Sequence, residues 1–350
     1  MERQATSLNS KNDSCGRIYL YDNVKFLAII LVVVGHAIDF LTRQDGNWAE
    51  KGLFFVIYSV HMPLFIFISG LFLKPMNKST PFPKQKFFAY IFIGIILRIF
   101  MSVWKLILQE NPAYSILDMY DSFTWYMGAM AVFIAVAWLF RNYNSKILLI
   151  IFTVIGCMAG YDKFIGDKLV LMRIFVFLPI FFLGYCLKPE QLLNIFSKTW
   201  LKILSVIAVV VIVFALFFYH DIYSYLRPMF TGRNDFNCLG DYYKFGGIVR
   251  LFCYIISGVF GFSVMCLMPN KKIKFFTAFG TKTLQIYFWH KFFLVGFEAF
   301  NVYSYIASFT GETLATAIYI LIAVAITYIC CLNIFSFPTK QLLAFGKQKE

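Results

Sequence analysis

The chain has 350 residues, 60% hydrophobic and 14% charged, with 32 Lys and Arg against 18 Asp and Glu for a formal net charge of +14; its mean hydropathy is +0.71. An apolar share this far above the roughly 45–50% usual for soluble domains excludes a water-soluble globular protein. In a lipid-embedded chain the placement of Lys and Arg reports orientation, so the basic charge is no argument for a nucleic-acid partner.

A span needs about 20 mostly apolar residues. Hydropathy predicts ten of them, at 20–41, 52–73, 87–108, 123–140, 147–160, 169–187, 201–219, 246–268, 283–300 and 312–336. The expected fold class is therefore all-α, a polytopic membrane helix bundle. Residues 1–19 form an N-terminal tail, 20–336 the membrane domain and 337–350 a C-terminal tail. The first apolar stretch has no small-residue cleavage site behind it and reads as a span rather than a signal peptide. An even count puts both termini on one side. Lys74, Lys78, Lys84, Lys86, Arg141, Lys146, Lys188, Lys198, Lys202, Lys271, Lys272, Lys274 and Lys282 gather there. Arg43, Lys51, Lys163, Lys168, Arg227, Arg233 and Lys244 fall opposite, diluted by Asp45, Glu50, Asp118, Asp121, Asp162, Asp167, Asp235 and Asp241. The positive-inside rule then predicts cytoplasmic termini for a multi-pass membrane protein. Six of the eight cysteines lie in apolar stretches and no CxxC spacing occurs, so neither a disulfide framework nor a bound metal is expected.

Ionisable groups inside spans are costly and mark functional candidates. In the first span Asp22, Lys25, Val32, His36 and Asp39 are spaced by 3, 7, 4 and 3 residues, which sets all five on one helix face. His36 lies about 16 Å along the axis from Lys25. Asp39 either orients the imidazole or marks the outer boundary. The second span carries His61-Met62-Pro63, where the missing proline amide predicts a kink beside His61. Arg98 falls mid-way along the third span, Arg173 and Arg250 near the outer ends of the sixth and eighth, and His290-Lys291 deep in the ninth. The longest external segment, about 220–245, is rich in aromatic residues, Gly, Asn and Asp. That composition suits a lid or a sugar-contacting loop as well as a plain connector.

The segments RIYLYDNVKFLAIILVVVGH (17–36), HMPLFIFISGLFLK (61–74), FTWYMGAMAVF (123–133), RIFVFLPIFFLGYCL (173–187) and FGTKTLQIYFWH (279–290) together resemble the acyltransferase-3 superfamily of membrane O-acyltransferases, especially its fucose 4-O-acetylase-like branch. The resemblance covers nearly the whole chain. It implies about ten helices and an acyl donor, usually acetyl-CoA, supplied from the cytoplasm as a substrate, with no permanently bound cofactor. It also implies a glycan or polyprenyl-linked sugar as acceptor and a part in acyl transfer for His36, paired with the first-span cation, here Lys25. That cation is often Arg in the family. The basic cluster that opens the third span in many members corresponds here to Lys84 and Lys86.

Acyl transfer to a hydroxyl needs a base and a positive group for the oxyanion. On this reading His36, Lys25, His61 and Asp22 are the catalytic candidates. Lys25, Lys84, Lys86 and Arg98 are the acyl-CoA-binding candidates, and Arg173, Arg250 and His290 the acceptor-binding ones. Direct attack and an acyl-histidine relay both fit the sequence, and the oligomeric state is open. The rival reading is a transporter or flippase, which also needs intramembrane charges and broken helices; against it, no inverted repeat of hydropathy is visible.

Overall fold

In a computed structural model, residues 17–44, 46–109, 124–162, 165, 170–219 and 222–344 are described. The expected tail through residue 16 and the outer residues Asp45, Asp118, Asp121, Lys163, Asp167 and Lys168 lie outside them. The described residues form helices and contain no strand.

The first long helix, α1 (Tyr19–Thr42), is apolar along most of its length and places Asp22 in its first turn, where the helix dipole favours an anion. The next begins at Trp48, four residues ahead of the hydropathy boundary. Asn47 Oδ1 accepts from the amides of Ala49 and Glu50, and Glu50 returns a carboxylate oxygen to the Asn47 amide at 3.0 Å. This capping box starts α2 (Trp48–Tyr58). A break at Ser59 and Val60 leads into α3 (His61–Leu71). The expected kink is thus ahead of His61, not at Pro63, which sits in the first turn of α3, where a missing amide hydrogen costs little. The two helices still run as one 24-residue apolar unit.

There follow α4 (Lys84–Ile107), α5 (Trp125–Leu139), α6 (Ser145–Met158), α7 (Leu171–Tyr185), α8 (Pro189–Phe196), α9 (Thr199–Phe218), α10 (Tyr223–Thr231), α11 (Gly246–Leu267), α12 (Thr283–Ala299), α13 (Val302–Thr310), α14 (Glu312–Ile329) and α15 (Thr339–Ala344). Among the described residues six helical units are long and apolar enough to cross a membrane alone, or eight when the pairs α7–α8, bent by 80°, and α12–α13, bent by 60°, each count as one. Trp125–Leu139 and Ser145–Tyr161 are apolar but shorter, and the ten segments expected from hydropathy include both. The tenth segment ends earlier than its hydropathy. The carbonyls of Cys330, Cys331 and Leu332 accept from Gln285 Nε2 and Lys282 Nζ of the neighbouring chain turn, so α14 stops at Ile329 although apolar residues continue.

The outward faces of α4, α6 and α9 expose rows of large apolar side chains, among them Ile99, Val103, Ile147, Val154, Ile207, Val211 and Phe214. In water such patches mark a docking surface; in a bilayer they face lipid. Inside, α3 and α7 approach backbone to backbone. A Cβ at Gly70 would strike the Phe181 carbonyl, and one at Gly184 the Phe67 carbonyl, the small-residue crossing that membrane helices use in place of a hydrophobic driving force.

Hydrogen bonds define the two ends of the bundle. At the lysine-rich end the Leu20 amide donates to Asn270, Tyr21 to the Pro189 carbonyl, Trp138 to the Thr80 carbonyl and Tyr185 accepts from Met76. At the other end Arg227 meets Asp39, Tyr161 meets Lys244, and Thr316 meets Glu50. The first and last described helices, α1 and α15, thus begin or lie at the same lysine-rich end. Residues 339–344, within the expected C-terminal tail, form α15 against the bundle, with Leu343 on the wall of a cavity.

Candidate functional site

The stripe on α1 runs past two cavities. Near the lysine-rich end Lys25 Nζ donates to Asp22 Oδ1 at 3.0 Å, and Arg17 holds the other carboxylate oxygen at 2.7 Å. Lys25 also stands over the Phe72 ring at 5.3 Å. It opens onto an inner cavity of about 350 Å³ whose wall is largely apolar, with Ile29, Val32, Met62, Phe65, Ile68 and Met130. A few polar groups punctuate that wall: Lys86, Ser69, Tyr90, Tyr126, Thr283 and Tyr287. Ser69 Oγ donates to the Phe65 carbonyl and shares a 2.9 Å hydrogen bond with Tyr126.

Further along the same helix, His36 and Asp39 face an outer cavity of about 500 Å³. Its other walls come from Tyr58 and His61 at the α2–α3 break, Trp125 at the start of α5, Arg173 of α7, Lys291 of α12 and the α10 segment with Arg227, Pro228 and Phe230. The break in the second span puts His61 at the cavity. Its Nδ1 lies 2.8 Å from the Ile57 carbonyl; a carbonyl only accepts, so Nδ1 carries the hydrogen and Nε2 holds the lone pair in the neutral ring. Tyr58 packs edge-on against it at 4.7 Å.

His36 stacks on His290, ring centroids 5.4 Å apart and planes 29° apart. His290 is fully buried, with Nδ1 2.9 Å from the Ile286 carbonyl and no hydrogen-bond partner at Nε2. It backs the His36 ring and does not line the outer cavity, so the acceptor contact expected of it is not made through that wall. Asp39 does not orient His36. It pairs with Arg227 at 2.7 Å and Arg43 at 3.3 Å, joining α1 to α10. Lys291, 8% exposed, pairs with Glu298 at 3.3 Å. Arg173 is buried, with its guanidinium 5.0 Å from the Trp125 ring.

The remaining candidates separate cleanly. Arg250 is buried and lines neither cavity; it donates to the Met229 carbonyl and stands over Phe236, fastening the end of α10 from below. Arg98 lies half-buried on α4 and lines neither cavity, and Lys84 is exposed beside Lys86 without reaching the inner one. Asp22 partners Lys25 at the lysine-rich end, far along α1 from the imidazoles. Sequence reasoning missed Arg227, Tyr58 and Trp125 as cavity groups. The aromatic-rich 220–245 segment was the signal for Arg227, but its partner Asp39 is 188 residues away and nothing local announces the pair.

Three imidazoles lie close together here, two of them on the wall of a cavity that also holds several guanidinium groups; attack on a carbonyl carbon calls for a base and a positive field, and these are residue types able to act as both. The second, apolar cavity beyond them suits a thin, mostly uncharged arm. A family model described as an acyltransferase domain matches residues 18–332. No curated protein and no solved structure matches the chain. The match takes in every helix that lines the outer cavity, and the chain belongs to the acyltransferase-3 superfamily, as a multi-pass membrane acyltransferase acting on groups other than aminoacyl groups.

Proposed function

We propose that the protein moves an acyl group, most simply acetyl, from acyl-CoA to a hydroxyl of a cell-surface glycan or polyprenyl-linked sugar, and that it does so in the inner cell membrane. The observation that carries this reading is the pair of cavities along α1: an apolar one bordered by Lys25 and Lys86, and a polar one holding His36, His61, Arg173 and Arg227. Orienting the lysine-rich end toward the cytoplasm follows the positive-inside rule and puts the first cavity on the side where acyl-CoA is made. Lys25 and Lys86 then meet the phosphates of CoA, and the pantetheine arm fits the apolar wall beyond them. The acceptor enters from the opposite end beneath α10.

His36 removes the acceptor's proton, and the guanidinium of Arg173 on the same wall steadies the oxyanion. Asp22 serves by holding Lys25. The test is transfer of radiolabelled acetyl from acetyl-CoA to cell-envelope glycan by the purified protein in lipid, wild type against His36→Ala at matched folding. Label in the glycan from wild type and its loss in the variant is the expected result. Equal labelling by both removes His36 from the chemistry, and acceptor uptake without any acyl transfer would return the transporter reading.

A further inference from the structure

The inner and outer cavities meet at one level of the bundle. On α1 the boundary falls between Val32, on the inner wall, and His36, on the outer; on α12 it falls between Tyr287 and Lys291. Each pair is four residues apart, about 6 Å of helix rise. On α5 the neighbours Tyr126 and Trp125 face opposite cavities. Among the described residues only Met62 lines both. It follows His61 directly and is half-buried in a turn whose neighbours His61, Pro63 and Leu64 are buried. The partition between the cavities is therefore about one helical turn thick, and one unbranched side chain spans it.

We infer that Met62 is the movable part of this partition and decides whether the acyl group passes to the acceptor or to water. The inference rests on the reading that the donor occupies the inner cavity. Methionine suits the place: three rotatable bonds let it swing, and an apolar thioether offers water no hydrogen-bonding path. With the side chain across the opening, a thioester in the inner cavity is screened from the solvated outer one. With it aside, the acyl carbon comes within reach of the acceptor held beside His36. In the productive step the carbon–sulfur bond breaks and a bond forms from that carbon to the acceptor oxygen. The hydroxyl proton leaves through the imidazole, and CoA departs as its thiol. If water takes the acceptor's place, the same bookkeeping of atoms yields the free acid and CoA thiol.

Purified protein in lipid, given radiolabelled acetyl-CoA and envelope glycan, allows both CoA released and glycan acylated to be counted, and their ratio is the quantity to read. Met62→Ala opens the partition and raises the ratio about tenfold, a change of roughly 1.4 kcal/mol in the competition between water and acceptor. Met62→Val, which stays apolar but is too short to span the opening, raises it in the same direction and decides the matter if the alanine variant does not fold. Met62→Phe, too bulky to swing clear, slows both products together. A folded Met62→Ala or Met62→Val with the wild-type ratio overturns the inference while leaving the proposed activity in place, as does Met62→Phe transferring at the wild-type rate. Wild-type protein that neither releases CoA nor labels glycan overturns the donor reading, and the role of Met62 with it.

Discussion

The two cavities sit on the same helix face yet differ in kind. The inner one has an apolar wall with two lysines at its mouth; the outer one gathers histidines, arginines and carboxylates, several of them paired or stacked. The difference reflects where each group's compensation comes from. A lysine at a helix end reaches the interface on its own flexible stem, so Lys86 needs little support, and Lys25 has a single carboxylate partner in Asp22. Guanidinium and carboxylate groups deeper in the bundle persist only when paired or stacked, and Arg227 with Asp39, Lys291 with Glu298 and Arg173 over Trp125 meet that condition. On the proposed function, the apolar wall binds by shape and the charged one orients and activates.

The sharpest way to break this division is at His36. We predict that His36→Ala lowers glycan acylation by about 10²–10⁴-fold, the usual contribution of a positioned base, while acyl-CoA binding by equilibrium dialysis stays at the wild-type level; a parallel loss of binding would place the imidazole on the donor side. Next in size is the Asp39–Arg227 link. Arg227→Gln should raise the acceptor KM by about tenfold, roughly 1.4 kcal/mol, with donor KM unaltered, because it frees α10 over the outer cavity alone. Equal shifts in both KM values would show that the cavities are not separate.

Lys86 and Lys84 provide a smaller and more selective contrast. Lys86→Ala should weaken acyl-CoA binding several-fold, on the order of 1 kcal/mol for a largely exposed charge. Lys84→Ala, two residues away but outside the cavity, should leave it unchanged, and the difference should fade at high salt. Last, Arg250→Met should act on stability and not on the chemistry. Losing the buried hydrogen bond to the Met229 carbonyl costs about 2 kcal/mol, read as a lower thermal midpoint in lipid with donor affinity intact. A donor-affinity change in that variant would contradict its place beneath α10.

Arg98 illustrates what the sequence conveys and what it withholds. Its depth was legible, since 1.5 Å of rise per residue places it mid-helix, but its azimuth relative to neighbouring helices was not, and it lines neither cavity. His290 was likewise correctly deep, yet it lies behind His36 instead of on the cavity wall. His36, His61, Lys25, Lys86 and Arg173 do line the cavities. The α1 pair was readable because both residues lie on one helix, where 3.6-residue periodicity fixes the face.

Sequence by itself determined the apolar helices, their alternation between a lysine-rich and a carboxylate-bearing end, and the stripe from Asp22 to Asp39, because hydropathy and helical periodicity are local properties. Tertiary structure alone decided which faces meet. It stacked His36 on His290, joined Asp39 to Arg227, closed α3 against α7 at Gly70 and Gly184, and set Met62 between two cavities. Those choices depend on packing between segments far apart in the chain, and in a bilayer packing is settled by close fit and buried polar pairing, for which no single helix carries the information.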